Sequence, residues 1–96
     1  MTPIVLRLYV TGNTPSAAQA IATLTALKQD LGVNAVTLDV IDVLENPEAA
    51  LNDDVYATPT VFRIQPGPQR RVFGNLSSME MLLVVLQLIG PENDGE

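Results

Sequence analysis

Ala57-Thr58-Pro59-Thr60-Val61, followed by Gly74-Asn75-Leu76-Ser77, is the stretch whose reading decides the fold. Pro59 lacks an N–H and has a fixed φ, so it marks an entry turn rather than a strand interior. Thr60 to Ile64 (T-V-F-R-I) is rich in β-branched and aromatic residues and reads as a strand. Gln65-Pro66-Gly67-Pro68-Gln69 is an emphatic turn signal. Arg70 to Phe73 then reads as the returning strand of a hairpin. Gly74 at the strand–helix junction can take up backbone angles closed to other residues. Ser77 or Ser78 offers an N-cap hydroxyl to a final helix over 79–89.

The first half of the chain has a plainer pattern. Ile4 to Val10 (I-V-L-R-L-Y-V) is β-branched and apolar apart from Arg7, which suits a central strand covered on both faces. Thr14-Pro15 begins a helix, with a hydroxyl N-cap and proline where the missing N–H costs nothing. Ala17, Ala20, Ile21, Leu24, Leu27 and Leu31 recur at three- and four-residue steps and form one stripe for packing on a sheet. Gly32 suits a left-handed C-cap. In Asn34 to Asp42, Val36, Leu38 and Val40 alternate with Thr37 and Asp39, a second strand. Strand, crossover helix, strand implies a right-handed unit with parallel strands. Pro47 to Asn52 predicts a short helix.

Met79 to Ile89 is less decided. Only Glu80 and Gln87 are polar there, seven residues apart and on one helical face, so a helix would be apolar nearly all round. Such a surface suggests burial at a subunit interface as well as in the core. Yet Leu82 to Leu86 (L-L-V-V-L) also suits a buried strand, and periodicity does not arbitrate so short a run.

Composition narrows function by exclusion. Eleven acidic against five basic residues give a formal charge of −6. Phosphate backbones and anionic membranes repel such a surface, so neither nucleic acid nor membrane is expected as a partner. A signal-peptide pattern is not evident, and the longest apolar run is too short to span a bilayer, which predicts a soluble cytoplasmic protein. The expected organisation is one domain over 1–90 and a short acidic tail over 91–96. The 96 residues include neither cysteine nor histidine, so a disulfide is excluded and a zinc site lacks its usual ligands.

Acid–base work would therefore fall to carboxylates, lysine or tyrosine. Asp39 and Asp42 have odd spacing on one strand and point to opposite faces, a poor catalytic pair. Asp53-Asp54 lacks metal-ligand spacing and reads as a solvated acidic loop. Arg70-Arg71, the only basic pair, suits either a carboxylate on a partner or protection of an edge strand. Neither a cofactor nor an enzymatic activity is expected.

The Thr58-Pro59 step into a strand and the Gly-x-Leu-Ser turn into the last helix resemble the second half of a thioredoxin-type domain. The fold class expected is accordingly α/β, thioredoxin-like: a βαβ unit, then a hairpin and a C-terminal helix. Pro59 falls where that class carries a cis-proline, although an X–Pro bond is trans by default. Where redox members carry Cys-x-x-Cys at a helix N-terminus, this chain has Thr11-Gly12-Asn13-Thr14-Pro15, so dithiol exchange is excluded.

Leu8-Tyr9-Val10-Thr11-Gly12-Asn13-Thr14-Pro15, Val40-Ile41-Asp42-Val43-Leu44-Glu45-Asn46-Pro47, Ala57-Thr58-Pro59-Thr60 and Pro66 to Ser77 together resemble the KaiB family of circadian clock proteins, in order and spacing over nearly the whole chain. The resemblance implies a non-enzymatic regulator of a KaiC-type, RecA-like hexameric ATPase, one that helps sequester KaiA and competes with the SasA sensor domain. It also implies a fold switch. The ground state of KaiB proteins has a different C-terminal half and self-associates, which makes a homo-dimer or tetramer the implied resting state, whereas the KaiC-binding state is a thioredoxin-like monomer. The undecided second half of this chain is what such a switch requires, two packings within a few kcal/mol.

Contact candidates on this resemblance are Asp39, Asp42, Arg70 and Arg71; hinge candidates are Pro59, Gly74 and Asn75. Gln19, Asp39, Glu45 and Asp54 stand where the family commonly has basic residues, Asn75 replaces the usual Asp, and the acidic tail is shortened. Reversed charge repels a partner surface matched to cations, so a KaiA-like contact of the usual kind is disfavoured. The alternative reading is a cysteine-less thioredoxin-like sensor domain related to the SasA kinase N-terminus.

Overall fold

The run Ile4–Val10 forms β1, and the rest of the chain packs around it. In the computed structural model, which describes residues 3–88, α1 (Pro15–Leu31), β2 (Val36–Asp42), α2 (Pro47–Asn52), β3 (Thr60–Gln65), β4 (Arg70–Phe73) and α3 (Met79–Val85) follow in that order. The sheet order is β2-β1-β3-β4. β1 and β2 are parallel, with Leu6 opposite Leu38 and Leu8 opposite Val40. β3 runs antiparallel to both β1 and β4, which confirms the hairpin. β2 and β4 are the two edges.

The period of two along each strand sorts the residues between the faces. Leu6, Leu8 and Val10 of β1 and Val61 of β3 join one core with Ala17, Ala20, Leu24 and Leu27 of α1 and Leu82, Leu83 and Leu86 at α3. Arg7, Tyr9 and Phe62 therefore lie on the opposite face, towards α2. The alternation weakens along β2: Val36 is buried, but Val40 is 44% exposed because an edge strand outruns its cover.

Caps set the helix bounds. Thr14 Oγ1 accepts from Ala17 N–H at 3.2 Å, with Pro15 at the first helical position. Gly32 closes α1 with φ +109° and ψ +122°; its φ is positive as expected, but its ψ lies beyond the left-handed helical well. Asn46 caps α2 and Ser78 caps α3. Thr58–Pro59 is cis.

The last helix is shorter than the expected 79–89. It ends at Val85 in a Schellman motif, in which Gln87 N–H donates to Val84 O at 3.0 Å and Leu88 N–H to Leu83 O at 2.9 Å. Val84 and Val85 face outward, 65% and 41% exposed. Ile89 and the tail over 91–96 lie outside the described residues. The residue at the left-handed position is Gln87, φ +55°, where glycine is normally favoured. A side chain there costs about 1–2 kcal/mol, whereas glycine adds unfolded-chain entropy of about 0.4–1 kcal/mol. Gln87→Gly is thus expected to stabilise this arrangement by about 0.5–1 kcal/mol. A urea midpoint that rises at unchanged slope checks it.

Candidate functional site

Two polar side chains interrupt the apolar β1, and each must be satisfied away from the core. Arg7 Nη1 donates to Asp53 Oδ2 at 2.9 Å. The Tyr9 ring is fully buried, and a buried phenol needs a partner for its proton. That proton is shared between Asp53 Oδ2 and the Ala49 carbonyl at 3.1 Å, the charged acceptor taking the larger part. Asp53 follows the last residue of α2, so one carboxylate ties α2 to the centre of the sheet.

Arg71 completes the network from β4. Its Nη1 donates to Asp54 O at 2.7 Å and its Nη2 to Asp53 O at 3.2 Å. Its guanidinium lies 4.7 Å above the Phe62 ring, and Phe62 meets Tyr9 edge-to-face at 5.8 Å. Phe62 is fully buried although, among the described residues, the one helix on its face of the sheet is the short α2, because the guanidinium acts as its lid. Asp54 adopts φ +55° in a second Schellman motif, with its N–H on Leu51 O and that of Val55 on Ala50 O.

Charge and burial fix the protonation of this network. Burial pushes the Asp53 carboxyl up, but hydrogen bonds from Tyr9 and Arg7 and the charges of Arg7 and Arg71 outweigh it and hold it below the usual value. The hydrogen bond to Asp53 raises the Arg7 guanidinium. Burial, aided by the Asp53 carboxylate, pushes Tyr9 up to about 12. Both Asp53 and Tyr9 are thus displaced away from neutrality, the reverse of a poised general acid or base.

A raised folded value means that the stability due to neutral Tyr9 is complete below the unfolded tyrosine value of about 10 and is lost as pH rises through about 12. Ultraviolet titration of the native protein is expected to show a phenolate step near pH 12 that is missing in Tyr9→Phe.

The residues expected from sequence to make contacts separate on this scaffold. Asp39 is exposed on the β2 edge, opposite Arg7 in register, beside a groove of about 600 Å³ that Arg7, Asn52 and Asp53 also line. Asp42 is engaged instead as a turn cap: its Oδ1 accepts from Gly12 N–H at 3.0 Å and Leu44 N–H at 2.9 Å. Arg70 and Arg71 are both exposed on the β4 edge, but Arg71 is engaged with the two carbonyls. Gly74 has φ +100°, and Asn75 Oδ1 accepts from Ser77 N–H at 3.0 Å.

Asp53 departs from the solvated acidic loop that the sequence predicts, because two donors from β1 claim its carboxylate. Patterning missed it; the signal was a strand carrying an arginine and a buried tyrosine, both in need of an acceptor. Among the described residues no group of histidine, cysteine or carboxylates is placed to hold a metal ion, and no helix is long and apolar enough to cross a membrane.

Comparison with known proteins places this scaffold. The KaiB domain family matches residues 7–88, a span that holds every member of the Arg7–Tyr9–Asp53–Arg71 network. The chain belongs to the KaiB family. The circadian clock oscillator protein KaiB of Rippkaea orientalis is 44% identical over 88 residues, covering 92% of this chain and 85% of that one. The KaiB of Thermostichus vulcanus is 43% identical over the same length, covering 92% and 82%.

Solved structures agree on the fold. The N-terminal domain of Synechococcus elongatus SasA superposes with a TM-score of 0.73 at 20% identity, covering 100% of this chain and 90% of that one. Fasciola hepatica thioredoxin gives 0.72 at 21% identity, covering 90% and 80%. This KaiB-family chain is therefore thioredoxin-like in the arrangement described.

Proposed function

We propose that this KaiB-family chain is a non-enzymatic regulatory adaptor in a clock or clock-like system, one that binds a KaiC-type, RecA-like ATPase as the thioredoxin-like form described above. The observation that carries the reading is the KaiB match over residues 7–88, on a scaffold without cysteine or histidine. The relatives are named circadian clock oscillator proteins, and a cytoplasmic location suits such a partner.

Asp39, Arg70 and Arg71 are the exposed contact candidates, Arg71 being already engaged with backbone carbonyls. Asp42 and Arg71 act by shaping the turn after β2 and the α2–β3 connection. Pro59, Gly74 and Asn75 bracket the β3–β4 hairpin and are the hinge positions for a switch to an alternative, self-associating packing. Acids at Asp39 and Glu45 disfavour a KaiA-like partner of the usual kind. The exposed Val84–Val85 pair is the surface offered to a dimer or tetramer.

The test is size-exclusion chromatography with the cognate KaiC-type protein and ATP. Co-elution is expected to develop slowly, because capture waits on the population of the competent form. Gln87→Gly, which favours this form, is expected to speed it. Gly74→Ala, which places a Cβ at φ +100°, is expected to retard it. Absence of co-elution after long incubation, for Gln87→Gly as well, overturns the reading.

A further inference from the structure

The β3–β4 hairpin carries three arginines whose surroundings differ. Arg63 is 3% exposed and engaged on the core side of the sheet, its Nη1 donating to Leu86 O at 2.8 Å and its Nη2 to Pro68 O at 2.6 Å. Arg70 stands opposite it on β4 and is exposed. Arg71 lies on the other face, exposed yet held in one place. The Asp53 and Asp54 carbonyls accept from it, and its guanidinium rests on the Phe62 ring. Among the described residues these bonds engage only part of its N–H fork, so a fixed cation keeps donors for a further acceptor. The Asp53 carboxylate is turned away from it, to Arg7 and Tyr9.

Beside this cation is a cleft of about 70 Å³ lined by Tyr56, Ala57, Thr60, Arg71 and Phe73. Its aromatic walls, Tyr56 and Phe73, are 87% and 65% exposed. Backbone bonds set both walls: Val55 N–H donates to Ala50 O at 2.9 Å just before Tyr56, and Gly74 N–H to Pro59 O at 3.1 Å just after Phe73. An apolar cavity of about 150 Å³ admits a benzene ring, so a cleft about half that size suits a branched aliphatic side chain instead. A preformed apolar cleft with a rigid arginine at its rim loses little freedom on binding, the condition for an interface anchor.

Charge selects the occupant. Arg70-Arg71 is the one basic pair of the chain and is matched by a carboxylate. Repulsion between two chains of −6 charge opposes a second copy as its source. We infer that the Tyr56–Phe73 cleft seats one branched aliphatic side chain of a protein partner, with a neighbouring carboxylate of the same segment on Arg71. That the segment belongs to the KaiC-type ATPase rests on the function proposed above; the chemistry of the cleft does not.

Two measurements test it. In NMR of the whole chain, acetyl-leucyl-aspartyl amide at millimolar concentration is expected to move the Ala57 and Phe73 amides and the Arg71 Nε–Hε signal. Acetyl-leucyl-asparaginyl amide and acetyl-alanyl-aspartyl amide are expected to move them much less. Equal response to all three peptides, or none, overturns the inference. A shift of the same signals with protein concentration also overturns it, because a second copy is then the occupant. With the KaiC-type protein, Tyr56→Ser and Phe73→Ser are each expected to weaken binding about ten- to thirty-fold at unchanged urea midpoint. Val33→Ser, 56% exposed but at the opposite end of β1, is expected to leave binding unchanged. Binding indifferent to both aromatic variants overturns the inference and leaves the partner reading. If wild type fails to co-elute while the leucyl-aspartyl peptide still moves the Arg71 signal, the partner reading falls and the cleft stands.

Discussion

Asp53→Ala is expected to lower stability by about 2 kcal/mol, with Tm falling by roughly 8–16 °C for a domain of this size. The carboxylate serves two donors with different surroundings. Tyr9 is fully buried, so its hydrogen bond to a charged acceptor accounts for most of the loss, about 1.5–3 kcal/mol. The Ala49 carbonyl at 3.1 Å keeps the phenol from being orphaned and draws the cost to the lower end. The Arg7 side chain is 33% exposed, so its ion pair adds only a few tenths of a kcal/mol.

Asp53→Asn keeps an acceptor and is expected to lose about half as much. A double-mutant cycle with Tyr9→Phe, read from urea midpoints, should return a coupling of at least about 1 kcal/mol. The Asp53 carboxyl is lowered in the folded state, so its contribution is present above the unfolded carboxylate value of about 3.9. It is lost as pH falls through the lower folded value, and the acid limb of Asp53→Ala is therefore expected to be shallower than that of wild type. The consequence extends to the α2–β3 connection, which includes Asp54, Tyr56 and Thr58 and whose one charged tie to β1 is Asp53.

Local pattern sufficed wherever one element decides its own form. Thr14-Pro15 announced α1, Pro47 to Asn52 read as α2, and the proline-rich turn separated β3 from β4, all borne out by the helix bounds and pairings. What remained illegible depends on distance along the chain. Tyr9 and Asp53 are 44 residues apart, and Arg63 and Leu86 are 23 apart, so no period or spacing links them. The end of α3 was hidden for a different reason. Its stop is a left-handed Gln87 rather than a glycine, and a run such as L-L-V-V-L continues helical in pattern up to that residue. The contact candidates were legible as charges but not as free charges. Asp42 and Arg71 proved to be occupied by backbone groups, which only the folded turns could reveal.

Arg63→Ala is expected to be the more damaging change, at about 2–4 kcal/mol, whereas Arg63→Met is expected to stay within about 1 kcal/mol of wild type. The buried stem of Arg63 packs beneath α3, and truncation to alanine leaves a cavity of the kind that costs long side chains several kcal/mol. Methionine refills most of that volume. Both variants release the carbonyls of Leu86 and Pro68, but both also remove a desolvated guanidinium that stands opposite Arg70. The freed Leu86 carbonyl lies at a helix end and the Pro68 carbonyl in a turn, where water is within reach of each. The charge term is therefore nearly neutral, and the volume term decides between the variants. Hydrogen exchange locates the effect: in Arg63→Ala the amides of Leu82 to Leu88 should lose protection before those of β1, because the guanidinium joins α3 to the hairpin while β1 keeps both strand neighbours. Equal loss in the alanine and methionine variants would instead assign the stability to the hydrogen bonds. α3 would then be held to β3 by charge, and any rearrangement of the C-terminal half would have to break that contact first.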